Sequence, residues 1–340
     1  MSIDDLGIDP VEPRRRRAAT GRVSMAMVAE RAGVSGQTVS RVVNDSPRVD
    51  PDTRARVEKA MAELDYRPHR AARALRTGRS QTIGLVVTTL ATVGNSRMLQ
   101  ATAEAAAERG YALTLVTASH GVASAFQSLA EQEVDGAIVL NEASAQVATA
   151  ERPSGLRLVV VDAATDAGFV AVHSDHAGGA AAATAHLLSA GHAVVHHLAG
   201  PVDSFAAAER ERGWLETLAA AGVDAPEPAR GDWSAESGHA AGDALSAASA
   251  VFCANDQMAL GLLRALAERG RRVPEDVAVI GFDDVPDAAN YRPPLTTIRQ
   301  DFTALAQRAV DALVNEIEGA GAASGPVVVP TTLVERTSTR

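Results

Sequence analysis

Cysteine is almost missing: Cys253 is the single thiol in 340 residues. One thiol excludes an intrachain disulfide and a thiolate metal cluster, and it suits a reducing compartment. Aromatic residues are only 3% of the chain, so a core must be built from Ala, Val and Leu, and the hydrophobic content of 46% is enough for a sizeable one. No apolar run approaches the ~18 residues that cross a bilayer. Residues 1–22 mix charges with Pro10 and Pro13 and lack an apolar segment, which predicts a disordered arm and not a secretory leader, and hence a cytoplasmic protein. The four arginines at 14–17 suit either brushing phosphates or a solvated charge run. Catalytic signatures are missing as well: there is no Gly-x-Ser-x-Gly, no Walker loop and no Gly-x-Gly-x-x-Gly opening a helix. Asp283 and Asp284 are adjacent, so their side chains diverge and make no facing acid–base pair. His192, His196 and His197 have poor metal-ligand spacing, one in a turn and two on a strand. An enzyme is not expected, nor is a cofactor or a metal.

The formal net charge of -10 is unevenly divided. Residues 14–80 hold 16 Lys+Arg against 7 Asp+Glu, and residues 81–340 hold 16 against 31. A basic head on an acidic body is the asymmetry of a protein whose head alone meets phosphate.

The head is organised by residues 25–41. They read as a helix, a tight turn at Gly33 and a second helix opened by Ser35, whose hydroxyl suits an N-cap. Val28, Ala29 and Ala32 form one apolar stripe, and Val34, Val39, Val42 and Val43 face it across the turn. Gln37, Thr38, Ser40 and Arg41 are left pointing outward. That is the construction of a helix-turn-helix with its reading helix, in which Gln pairs with adenine and Arg with guanine. Ser35 and Asn44, at either end of this helix, complete the expected DNA-contacting set. Pro51 opens a third helix that runs to about Leu64 with Val57, Ala60, Met61 and Leu64 buried. Three helices thus close a domain over residues 23–68. Residues 69–81 place Arg70, Arg73, Arg76 and Arg79 around Ala71, Ala72, Ala74 and Leu75. The segment is too short to hold a helix alone, so it reads as a hinge that folds on DNA, with Leu75 as a minor-groove wedge, or else as a basic linker.

From Thr82 the pattern becomes short apolar strands alternating with amphipathic helices. Strands are expected at 83–87, 113–116, 136–140, 158–161, 170–173, 194–198, 251–253, 277–282 and 327–334. Helices are expected at 96–109, 124–132, 178–190, 207–221, 235–245, 257–269 and 302–318. This alternation predicts an α/β body, residues 82–340, of two doubly wound subdomains. The chain is expected to cross between them near 174 and 300. Ligands of such folds sit beyond the carboxyl ends of strands. There the sequence places Thr88, Thr89, Asp162, Ser204, Trp233, Asn255, Asp256, Gln257, Asp283 and Asp284, with Arg210 one turn into its helix. Carboxylates, amides, a guanidinium and an indole face are what a sugar needs, namely directional partners for hydroxyls and an apolar plane for the ring. Singly, Asn255-Asp256 and Asp283-Asp284 read equally well as caps, and Arg210 as a surface charge beside Glu209 and Glu211.

From about Val23 onward the chain resembles the LacI/GalR family of bacterial repressors. The resemblance is carried by Ala32-Gly33-Val34-Ser35, Gln37-Thr38-Val39-Ser40-Arg41-Val42-Val43-Asn44, Ala60-Met61-Ala62-Glu63-Leu64, Gly231-Asp232-Trp233-Ser234-Ala235, Ala254-Asn255-Asp256-Gln257-Met258-Ala259-Leu260-Gly261, and Pro293-Pro294-Leu295-Thr296-Thr297-Ile298 with Gln300-Asp301-Phe302. It implies a periplasmic-binding-protein-like body, base reading by Gln37 and Arg41, and a minor-groove wedge at Leu75. It also implies a sugar pocket from Thr88, Asp162, Ser204, Arg210, Trp233, Asn255, Asp283 and Phe302, the tryptophan and Asn-Asp-Gln stretches pointing to a galactoside. Three positions depart from the pattern. Gly36 stands where a base-reading tyrosine is expected, Ala206 replaces a pocket serine, and Thr92 and Asn95 replace a leucine and a proline near the ligand's apolar end. No leucine heptad tail follows, so a homodimer is expected. The implied function is a repressor that binds double-stranded operator DNA and is released by a small sugar, with no membrane partner. The rival readings are a regulator answering to another sugar or a nucleoside, a soluble sugar-binding protein, and a carbohydrate enzyme.

Overall fold

The computed structural model describes residues 23–43, 46–66, 78–147, 149–163, 169–321 and 325–340. The expected arm, Asn44 and most of the expected hinge, with Arg70, Arg73 and Leu75, lie outside them. The chain forms two units, Met1–Thr77 and Gly78–Arg340.

In the first unit, α1 (Met25–Ala32) is capped by the Ser24 hydroxyl, which accepts from the Met27 N–H, and it ends at Gly33, whose φ of 64° needs a residue without Cβ. The Ser35 hydroxyl accepts from the Thr38 N–H at 3.1 Å and so opens α2 (Gly36–Val43). Asp50 accepts from the Asp52 and Thr53 N–H groups, and Pro51 begins α3 (Pro51–Glu63), where its missing N–H costs nothing. Val28, Val39 and Val57, one from each helix, are fully buried together. Burying each stabilises the head by about 1.5–3 kcal/mol.

The second unit has two six-stranded sheets. The first comprises β1 (Thr82–Val87), β2 (Ala112–Thr117), β3 (Gly136–Leu140), β4 (Arg157–Val161), β5 (Val170–Ser174) and β11 (Val327–Val329), in the order β11-β5-β4-β3-β1-β2. The second comprises β6 (His196–Ala199), β7 (Ala229–Arg230), β8 (Ala250–Cys253), β9 (Ala278–Asp283), β10 (Thr296–Arg299) and β12 (Thr332–Val334), in the order β12-β10-β9-β8-β6-β7. Every pairing is parallel except β10 with β12. Both sheets wind outward from their first strand in two directions, so each has a crevice at the carboxyl ends where the winding reverses. In the first lobe α4 (Val93–Glu108) and α10 (Phe302–Glu318) cover one face and α5 (Val122–Glu131) packs on the other. In the second lobe α6 (His176–Ser189) and α7 (Phe205–Ala220) cover one face, and α8 (Ala235–Ala240) and α9 (Asp256–Glu268) the other. Among the described residues no helix is long and apolar enough to cross a membrane.

Three expectations need correction. The helix expected at 235–245 stops at Ala240. Gly242 is a poor helix former, and Arg271 captures the Ser246 and Ala248 carbonyls, which draws the following turns away from helix. The strand expected at 327–334 is broken by Pro330, which has no N–H for a ladder, so β11 and β12 join different sheets. The chain therefore crosses between lobes a third time there, besides near Asp175 and Gln300. Two strands were not anticipated, the two-residue β7 and β10 with its β-branched Thr296, Thr297 and Ile298.

One buried histidine gives this core a pH dependence. His197 on β6 stacks on Phe252, with centroids 4.7 Å apart, and lies 5.1 Å from the Trp214 ring. Its Nδ1–H donates to the Phe252 carbonyl at 2.9 Å, which leaves Nε2 buried without a partner. Burial pushes its pKa down to about 4. The unfolded chain, with a histidine near 6.5, then binds a proton that the folded one refuses. Stability is full above pH ~6.5 and falls toward pH 4, by roughly 3 kcal/mol from this group. Urea unfolding at pH 7 and pH 4.5 should show His197→Phe losing about 2–3 kcal/mol less than the parent over that interval. Equal losses would remove His197 as the cause.

Candidate functional site

Strand-to-helix turns of the two lobes face each other across a partly open cavity. Of the residues the sequence singled out, Thr92, Asp162, Ser204, Arg210, Trp233, Asn255, Asp283 and Phe302 line it. They come from the ends of six different strands and from the crossing near Gln300, and lobe apposition is what brings them together. Asp162, Trp233 and Asp283 hold φ angles of 54°, 75° and 118°. Non-glycine residues pay about 1–3 kcal/mol for such backbones, which persist where surrounding contacts over-determine them.

The polar core of the site is a chain of buried groups. The Asp162 carboxylate accepts from His176 Nε2 at 2.8 Å, and His176 Nδ1 faces the Arg210 guanidinium at 3.3 and 3.4 Å. Arginine only donates, so both contacts are hydrogen bonds when the imidazole proton sits on Nε2. Arg210 also donates to the Ala254 carbonyl, lies 3.6 Å from Asp283 Oδ1, and has its plane 3.8 Å from the Phe282 centroid and 5.5 Å from that of Trp233. Burial raises the Asp162 pKa, but His176 and Arg210 outweigh it and hold the carboxyl below its ordinary value. Burial prevails at Asp283 and raises its pKa against Arg210 and Gln300.

Amides complete the lining. Asn255 caps α9, accepting from the Met258 N–H at 2.8 Å while donating to the Trp233 carbonyl at 3.1 Å, so its cap role and its place in the cavity coexist. Ser204 likewise caps α7, and Thr92 caps α4. Two lining amides escaped the sequence reading. Asn141 follows β3 in a stretch with no recognised element. Gln300 lies in a quoted motif but past a strand that was not anticipated. Its Nε2 donates to Asp283 Oδ1 at 2.6 Å, and its Oε1 is buried with no hydrogen-bond partner. A buried acceptor left unpaired costs about 1–3 kcal/mol, which a ligand hydroxyl would recover.

Three expected residues do not line the cavity. Thr88, just past the end of β1, is half-buried. Asn95 is turned away, donating to the Thr89 carbonyl at 2.9 Å and bonding Asn141 with its Oδ1. Gln257 accepts from the Val93 N–H at 2.9 Å, across the seam between lobes. Asp256 is also buried elsewhere. It accepts from the Val285 N–H and the Thr297 hydroxyl, and burial with the Asp283 charge raises its pKa well above the usual carboxylate range. Asp284 diverges from Asp283 as adjacency requires, and pairs with Arg299 and Arg336.

A Cβ on Gly200 would lie 2.4 Å from Trp233 Cη2, so the indole rests on that backbone. Gly200→Ala should displace it, costing ~1–3 kcal/mol and shifting tryptophan emission. Thermal unfolding with an emission spectrum checks this, and an unchanged spectrum and midpoint would count against it.

On the head, Gln37 and Arg41 are exposed on α2, opposite buried Val39 and Val42. Ser35 is exposed and Ser40 half-buried, while the Thr38 hydroxyl is 3.0 Å from that of Ser35, within the cap. Asn44, Arg70, Arg73 and Leu75 lie outside the described residues.

Residues 24–69 match the model of bacterial regulatory proteins of the lacI family, and residues 184–339 that of a periplasmic binding protein-like domain. The lactose operon repressor of Escherichia coli (strain K12) is 36% identical over 328 residues, covering 93% of this chain and 91% of the repressor. A crystal structure of the lac repressor dimer bound to operator and the anti-inducer ONPF is similar with a TM-score of 0.82 at 35% identity, over 93% of this chain and 99% of that one. The transcriptional regulator CelR–cellobiose complex is similar with a TM-score of 0.67 at 33% identity, over 93% of this chain and 100% of that one. A helix-turn-helix head and two parallel-sheet lobes, matched along nearly the whole chain, make this protein a member of the LacI family of bacterial DNA-binding transcriptional regulators.

Proposed function

We propose that this regulator represses transcription as a homodimer on a near-palindromic operator and is released by a neutral sugar, a galactoside, bound in the cavity between the lobes. The observation that carries the sugar reading is the lining itself: Asp162, Asn255, Asp283 and the unpaired Gln300 Oε1 offer directional partners for hydroxyls, and Trp233 offers a face for the ring. The cation in the described lining, Arg210, is already engaged by His176, Ala254 and Asp283, which argues against an anionic ligand such as a sugar phosphate. Gln37 and Arg41 read operator bases, with Ser35, Thr38, Ser40, Asn44, Arg70, Arg73 and Leu75 as the remaining contacts. Two heads related by the dimer axis match two half-sites. Sugar binding shifts the lobes and separates the hinges, a reciprocal coupling of about 1–3 kcal/mol per site.

A second reading keeps the same site with a β-linked disaccharide such as cellobiose. It is favoured by Thr92 and Gly94, whose small side chains at the α4 edge of the cavity leave room and a hydroxyl where a bulky apolar group would suit an aglycone. A thermal-shift panel of isopropyl thiogalactoside, lactose, cellobiose, galactose 6-phosphate and hypoxanthine decides. A ligand at 100 times its Kd adds about 2.7 kcal/mol, a rise of several degrees. A response to hypoxanthine or the phosphate alone would sink the neutral-sugar reading.

A further inference from the structure

The first turns of α4 belong to the first lobe, yet they touch the second at three points. The Val93 side chain packs on the second lobe's core. The Val93 N–H donates to Gln257 Oε1 at 2.9 Å. Arg97 Nη1 donates to the Asp284 carbonyl at 3.2 Å. None of these side chains lines the cavity. Each leans on a residue beside one that does. The Arg97 guanidinium lies 4.8 Å from the centroid of the lining residue Phe302, Val93 lies between the lining residues Thr92 and Gly94, and Asp284 follows Asp283. The acceptor offered to Arg97 is held still, because Arg299 and Arg336 grip the Asp284 carboxylate at 2.6 and 2.7 Å.

We infer that Val93, Arg97, Gln257 and Asp284 form a latch that holds the two lobes shut over the cavity and sets the rate of ligand entry and release without touching the ligand. Lobes joined by crossing strands can hinge only if contacts away from the crossings open. The helix-start amide, the arginine and the apolar side chain are contacts of that kind, on one helix face and facing one lobe. They break together when the lobes part, so a small loss in any of them shifts the open population. Gln257 and Arg97 are therefore positioning residues. Their bearing on ligand exchange rests on the sugar reading of the cavity, whereas the opening itself is read without any sugar.

Acrylamide quenching of the ligand-free full chain tests it. The chain has two tryptophans. Trp214 is fully buried in the core and Trp233 faces the cavity, so the accessible fraction reports cleft opening. Arg97→Met and Gln257→Leu should each raise the quenching constant of that fraction by about fivefold, as expected for losing one interlobe hydrogen bond. Gln257→Glu keeps an acceptor for the Val93 N–H and should stay near the parent. Unchanged quenching in both Arg97→Met and Gln257→Leu would overturn the latch, as would an equal rise in Gln257→Glu. A variant that merely unfolds exposes Trp214 as well, and the other substitution then decides.

Discussion

Asp283→Asn should raise the sugar concentration that releases operator DNA by about 10- to 100-fold, the loss of one hydrogen bond to a charged group, while the ligand-free protein still binds its operator. Asparagine is the informative replacement because the backbone there holds φ 118°, a region aspartate and asparagine tolerate better than other side chains. Gln300 and Arg210 both meet Oδ1, so an asparagine oxygen there keeps both partners while the negative charge is lost, and the site loses its carboxylate with little loss of shape. Asp283→Ala removes both contacts and strands a buried guanidinium, so its effect on release should be larger and accompanied by lost stability. Fluorescence anisotropy of a labelled duplex, selected by this protein from a random pool, gives both numbers in one titration. Release at the parent's sugar concentration in Asp283→Asn would mean that the cavity is not where the effector acts.

Arg41→Ala should weaken specific operator binding by about 10- to 100-fold, the worth of one bidentate arginine–guanine contact. Random-sequence DNA should be bound nearly as well as before, because a base contact contributes little to phosphate-driven affinity. The side chain is exposed on the face of α2 opposite Val39 and Val42, so its removal leaves the head core intact. Arg41 also lies in the last turn of α2, where a cation complements the helix dipole by about 0.3–1 kcal/mol. Circular dichroism of the variant separates that cost from recognition. If affinity for specific and random duplexes falls in parallel, and the salt dependence flattens, Arg41 grips phosphate instead of reading a base.

Local chemistry settled much of this protein from the sequence alone. Ser24, Asp50, Asn255 and Asp301 begin helices because a short acceptor side chain meets the orphan amides of its own first turn, and no distant residue has a say. The head's three apolar stripes and its turn at Gly33 are likewise written in spacing, and so is the alternation of strand and helix that makes a doubly wound body. That alternation also puts polar residues at strand ends, which is why eight of the expected lining residues are found around one cavity. Strand order and lobe apposition are non-local, and they decided the rest. Asn95 and Gln257 carry the right chemistry one step from the cavity, but helix rotation aims Asn95 at Asn141 and lobe contact claims Gln257 for Val93. Asn141 and Gln300 enter because β3 and β10 end at the same height as their neighbours, a fact of register between residues far apart in the chain. The third crossing follows from a single proline, whose missing N–H sends β12 to the other sheet, a partner that only the assembled lobes could name.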